Sequence, residues 1–212
     1  MIKLAPPPRR SDVQRHPGRR MTEEEFVAWI WEKTRAEWMD GEVIMMAPVS
    51  VGHDSIGWSL RTLVHLFVQH HKLGVVCGSE VMVRLPKQRQ RRMPDVSFVA
   101  ASRIQIVLAN HIDGPPDLVM EVVSPESVER DWREKYEAYQ SAGVKEYWIV
   151  DPSASRMEAY TLARGGKKYR RIEETEAGIP SIVASGFRLK PQWAFDDPQP
   201  TLFSVLKELG VL

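Results

Sequence analysis

The segment "DLVMEVV" at 117–123 constrains this chain more than any other stretch. It is a nearly continuous aliphatic run, entered through Gly-Pro-Pro and left through Ser-Pro, with the length of a strand. A strand that is apolar at odd and even positions alike is covered on both faces, so it belongs in the middle of a sheet. The sequence after it agrees. "SVERDWREKYEAYQSAG" reads as a helix closed by Gly143, and "EYWIVD" as a second buried strand. That order over 117–151 predicts two parallel strands joined by a right-handed crossover.

The rest of the chain supplies further strands and helices. Thr22 followed by Glu25 forms a capping box that should start a helix running to about Lys33. "AEWMDGEVIMMA" reads as a hairpin turning at Asp40-Gly41. From His53 to about His71, Ile56, Leu60, Leu63, Val64, Phe67 and Val68 fall on one helical face, with Gly74 as the expected stop. "VVCGSEVMVRL" and "PDVSFVA" are strand-like and flank the basic segment "PKQRQRRM". "RMEAYTL" and "KKYRRIE" form an outer hairpin around Arg164-Gly165-Gly166, and a last helix spans Thr201 to Leu209. The fold class expected is α/β (α+β), a mixed β-sheet flanked by helices with an N-terminal helix and hairpin. A length of 212 residues suits one well-cored domain over 21–212. It would follow a flexible arm, 1–20, in which Lys3, Arg9, Arg10, Arg15, Arg19 and Arg20 face one acid, Asp12.

Bulk charge excludes a generally basic nucleic-acid binder, because the formal net charge is only +1. Phosphate contact would need local clusters. The arm is one, and Arg84, Lys87, Arg89, Arg91 and Arg92 are another, five cations in nine positions without an acid. The single Cys77 excludes an internal disulfide and a cysteine zinc cluster, and fits a reducing, cytoplasmic setting. No apolar run approaches the roughly 20 residues of a membrane helix, and no secretory leader is expected. The seven tryptophans read as packing residues rather than base-stacking ones.

Glu121, inside "DLVMEVV", is the residue that needs explaining. Burying an ionised carboxylate costs several kcal/mol, of order 5, unless a cation or dense hydrogen bonding compensates. Structural pairing is one answer. A divalent cation is the other, and it needs a second carboxylate nearby. Asp117 lies four residues away on the same strand, about 13 Å along it, too far to share an ion. Asp95 opens another apolar strand, and neighbouring strands are only about 4.8 Å apart. Asp95 is therefore the expected partner, with Asp117 supporting the site or fixing a loop. On the crossover helix, Asp131 and Lys135 are four apart and share a face. They read either as a surface ion pair or as a cation brought back to the strand ends.

"RRMPDVSFVA", "GPPDLVMEVVSPES", "REKYEAYQSAGVKEYWIVDP" and "AEWMDGEV…H" resemble, in order, the Uma-type putative restriction endonuclease family, within the PD-(D/E)xK nuclease superfamily. The resemblance covers about 21–195. It implies phosphodiester hydrolysis in nucleic acid, DNA foremost, with Mg²⁺ or Mn²⁺. By the same resemblance Asp95 matches the motif aspartate, Glu121 the motif acid, and Glu37 an upstream glutamate that joins the metal site. The motif lysine position holds Val123, and Lys135 on the next helix matches the displaced lysine, as water-positioning group or base. His53 matches a position that orients the site, and Ser124 joins His53 and Asp117 around the ligands. A homodimer suits cutting of both strands. Two rivals stand beside the nuclease: a nucleic-acid-binding module of this fold without catalysis, and a structural protein whose buried acid is merely paired.

Overall fold

The computed structural model describes residues 20–30, 35–124, 128–163 and 165–212. The arm up to residue 19, the end of the first helix toward Lys33, residues 125–127 of the "SPES" connection and Arg164 of the outer turn lie outside the described residues.

The capping box forms as expected: Thr22 Oγ1 accepts the Glu25 N–H at 3.2 Å and Glu25 Oε2 accepts the Thr22 N–H at 2.9 Å. It starts helix α1 (Glu23–Ile30). Strands β1 (Ala36–Met39) and β2 (Glu42–Met45) pair antiparallel across Asp40-Gly41, both with positive φ, as the twist of a two-residue hairpin requires. Helix α2 (Val51–His70) is capped by Ser50, whose hydroxyl accepts the His53 N–H, and buries the six apolar residues of its predicted face. It stops at His70 rather than at Gly74, and Lys72 takes the left-handed position. Gly74 instead opens β3 (Gly74–Gly78), where a Cβ would come within 2.9 Å of the Ala100 Cα.

"VVCGSEVMVRL" breaks at Gly78–Val81, so β3 and β4 (Met82–Leu85) enter different sheets. There follow β5 (Gln90–Arg92), β6 (Val96–Ala100), β7 (His111–Asp113) and β8 (Leu118–Val122). A π-helical turn (Arg130–Lys135) runs into α3 (Tyr136–Ala142), which Gly143 ends. Next are β9 (Glu146–Asp151), β10 (Arg156–Leu162) and β11 (Tyr169–Ile172), then the short pair β12 (Ile179–Pro180) and β13 (Arg188–Leu189), and helices α4 (Gln192–Phe195) and α5 (Leu202–Glu208).

Two main sheets result. One has the order β11-β10-β9-β8-β6-β3, and the N-terminal hairpin belongs to the other, β2-β1-β5-β4-β7. β8 is central, parallel to β9 and antiparallel to β6. Its alternation assigns its faces. Leu118, Met120 and Val122 pack with α2 and the C-terminal helices, whereas Val119 and Val123 pack with Tyr139 of α3 and with Val83, Leu85 and Ile112 of the second sheet. Each large aliphatic buried this way contributes about 1.5–3 kcal/mol. A third core, including Phe26, Trp38 and Met93, lies under α1. Among the described residues, no helix is long and apolar enough to cross a membrane.

Candidate active site

Carried one residue past Val96↔Met120, the antiparallel register of β6 and β8 sets Asp95 opposite Glu121. Opposed residues of an antiparallel pair point to the same face. Asp95 is anchored there by the Val122 N–H, which donates to its Oδ2 at 2.8 Å. Glu121 is only 2% exposed and divides its oxygens between two partners. Tyr139 Oη donates to Oε1 at 2.8 Å, and the Lys135 ammonium sits 2.9 Å from Oε2.

Lys135 is buried, not a surface residue, and its ammonium also lies 2.9 Å from Asp131 Oδ1. The π-helical turn turns Asp131 and Lys135 inward together, and both are buried. Tyr139 continues the series at a spacing of four. Reasoning from sequence paired Asp131 with Lys135 but missed Tyr139, an aromatic that reads as packing from the sequence alone.

His53, near the start of α2, holds the other side of the strand end. Its Nε2 lies 2.8 Å from the Val122 carbonyl, which can only accept, so Nε2 carries the proton. The same nitrogen is 3.7 Å from Asp95 Oδ2. Glu37, on β1, is buried against Arg92 at 2.9 Å and accepts the Met93 N–H at 3.1 Å. It thus fixes the chain two residues before Asp95. Ser124 follows β8, half-buried.

Asp117 is elsewhere. Its carboxylate accepts the Ala100 N–H at 2.8 Å and pairs with Lys145 at 2.8 Å and Arg103 at 3.0 Å. It fixes loops at the far end of β8 and does not support the Asp95–Glu121 end. The basic segment also departs from expectation. Arg92 is fully buried on Glu37, Arg91 is buried on Glu23 at 2.8 Å, and Arg84 is bound between Glu23 and Asp113. Acids distant in sequence neutralise all three, so they do not face phosphate. Lys87 is exposed, and so is Arg89, which pairs with Asp40 at 3.0 Å.

Burial is the largest influence on Glu121, Asp95, Lys135, Tyr139 and Glu37 alike. Burial, with the charges of Asp95, Asp131 and Glu37, pushes the Glu121 carboxyl up to about 8 despite Lys135. Burial also raises Asp95, against the pull of His53, Lys135 and the Val122 N–H. Burial alone would lower Lys135, but Asp131, Glu121 and Glu37 outweigh it and hold the ammonium protonated. Burial and the Glu121 charge hold the Tyr139 phenol well above its ordinary value, so it stays a neutral donor. Glu37 is the reverse case: burial opposes its charge, but Arg92 and Lys135 hold it down to about 2.

Among the described residues, no group of three or more His, Cys, Asp or Glu is arranged to hold a metal ion. Two facing carboxylates nevertheless fit a hard cation such as Mg²⁺, which binds through one or two carboxylates and keeps several waters. Burial, the largest cause of the raised Glu121, and repulsion from Asp95, Asp131 and Glu37 all disfavour its charge, and a divalent cation would offset them.

This architecture is a restriction-endonuclease-like α+β fold. The model of the Uma2 family, described as putative restriction endonuclease, matches residues 23–192, and the chain belongs to that family. It is also similar in structure to a putative nuclease belonging to DUF820 from Anabaena variabilis ATCC 29413. The TM-score is 0.67 at 18% identity, over 82% of this chain and 97% of that one. No curated protein matches the chain.

Proposed function

We propose that this protein is a nuclease that hydrolyses phosphodiester bonds of nucleic acid, DNA foremost, with Mg²⁺ or Mn²⁺. Asp95 and Glu121 would hold the ion. When bound, such an ion polarises a phosphate oxygen and acidifies a water. The observation that carries this reading is the position of Lys135. The motif position for lysine holds Val123, 4% exposed in the core, yet an ammonium from the following helix still meets Glu121 at 2.9 Å.

The chain's own groups divide the remaining work. Lys135, set between Glu121 and Asp131, would act as a positive charge for the phosphate oxygens and a donor that orients water. Tyr139 holds one oxygen of Glu121 and leaves the carboxylate little freedom to rotate. His53 fixes the Val122 peptide, whose N–H in turn fixes Asp95. Glu37, tied to Arg92, sets the approach of Met93-Pro94-Asp95 from beneath rather than serving as a ligand.

The rival reading of a buried acid that is merely paired has one observation in its favour: both Glu121 oxygens already have protein partners. A cleavage screen separates the two. Circular DNA, linear DNA and RNA are incubated with Mg²⁺ or Mn²⁺, and the protein is compared with Asp95→Asn. Metal-dependent cleavage that Asp95→Asn abolishes is expected. No cleavage of any substrate, together with no Mn²⁺ binding by calorimetry, would favour the paired acid.

A further inference from the structure

Beside Asp95 an open cleft runs along the first turns of α2. Its lining includes Val49, His53, Trp58, Arg61 and Asp95. Two side chains there stand out. The Trp58 indole is 52% exposed, whereas Trp38 and Trp148 are buried. The Arg61 guanidinium has no acid or carbonyl partner among the described residues. The side chain passes close over Gly78 of β3, where a Cβ would come within 2.7 Å of the Arg61 Cδ. Three arginines near the site do have partners: Arg92 has Glu37, Arg91 has Glu23, and Arg35 has the Ser79 carbonyl and Glu80.

His53 and Arg61 lie two helical turns apart on one face of α2, and Trp58 flanks that face. The helix therefore presents, in order along the cleft, the group that orients Asp95, an open aromatic face and a cation without an acid partner among the described residues. A single exposed tryptophan is unremarkable on a protein surface. A tryptophan beside an unpaired arginine, both leading to a pair of acids, has the composition of a site that stacks a base and holds its phosphate. Bases in a duplex show only their edges in the grooves, because their faces are stacked on one another. An indole fixed at the cleft can take a base face only from an unpaired nucleotide.

We infer that Trp58 and Arg61 form a nucleotide-binding subsite of the cleft, and that the substrate is nucleic acid unpaired at the point of attack, a single strand or an opened junction. Trp58 stacks on a base next to the scissile phosphate, and Arg61 binds a neighbouring phosphate. This inference rests on the nuclease reading for its placement of the scissile phosphate, but the binding of an unpaired strand can be measured without cleavage.

The test uses tryptophan fluorescence. The full chain is titrated with a short single-stranded DNA and with the same sequence annealed to its complement, in chelator so that nothing is cut. Single strand should quench the fluorescence strongly, and duplex should bind more weakly. Trp58→Phe should lose most of the quenching but keep most of the affinity, and Trp58→Ala should weaken binding about fivefold to a hundredfold. Arg61→Gln should reduce the slope of log affinity against log salt by about 0.7. The inference fails if duplex binds as well as single strand, which would make Trp58 a wedge in the groove. It fails as well if Trp58→Ala leaves affinity unchanged, or if that variant instead abolishes a dimer seen by sedimentation. Cleavage assays on the same variants separate the two proposals. Binding as expected without cleavage under Mg²⁺ or Mn²⁺ sinks the nuclease and leaves the subsite. Cleavage indifferent to Trp58 and Arg61 sinks the subsite and leaves the nuclease.

Discussion

Glu121 stands in an apolar strand with its oxygens divided between Lys135 and Tyr139. Burial and three neighbouring acids raise it to about 8, and that has two consequences of definite sign. Its folded pKa lies above the ordinary value, so its contribution to stability is full below about 4.5 and is lost as pH rises through about 8. A cation that binds the carboxylate must displace the proton, so Mn²⁺ affinity should climb as pH rises toward about 8 and level off above it. Calorimetric titration across that range should show the climb, and Glu121→Gln should remove it. A flat profile in the unaltered protein would mean that Glu121 is not a ligand. The acid itself was legible, because one charged residue in "DLVMEVV" stands out. That Asp95 lies opposite it, and Asp117 at the far end of the strand, was legible too, from strand spacing alone. The Tyr139 hydroxyl was not, because an aromatic on an apolar helix face looks like packing until its oxygen is located.

At the scale of elements, β5 shows where reading by composition fails. Five cations in nine positions look like a phosphate surface, but a strand sends alternate residues to opposite sides. Arg91 turns to Glu23 of α1 and Arg92 to Glu37 of β1, acids some 55 to 68 residues away in sequence. Such long-range neutralisation leaves no local trace. Removing one partner of a fully buried pair strands the other charge. Arg92→Ala should therefore cost about 3–5 kcal/mol in urea denaturation. Lys87→Ala, on the exposed turn before β5, should stay within about 0.5 kcal/mol. Equal effects would contradict the burial of Arg92. The same pair sets an acid limit. Arg92 depresses Glu37 to about 2, so its contribution is present above about 4.5 and is lost as pH falls toward about 2. The helices and the hairpin were readable because caps, turns and apolar faces are local. The split of "VVCGSEVMVRL" between two sheets was not, because it depends on which strands wait on either side.

At the scale of the whole molecule, the two sheets and α2 bring four parts of the chain to one strand end. The chain entering β6 supplies Asp95, β8 Glu121, the helix after β8 Lys135 and Tyr139, and α2 His53. The crossover from β8 to β9 makes this possible, since it returns the helix over the strand it left. With a net charge of only +1, binding should rest on few phosphate contacts and show a shallow salt dependence. The residue on which the proposed nuclease depends most is Lys135, whose ammonium meets Glu121 although the motif position holds Val123. The most direct measurement is metal-dependent cleavage by Lys135→Ala, after circular dichroism has shown the variant folded and calorimetry has shown that it binds Mn²⁺. Turnover should fall by about a hundredfold or more, the scale of losing one charge-stabilising donor. A folded, metal-binding Lys135→Ala protein that cuts at the unaltered rate would contradict the role given to Lys135.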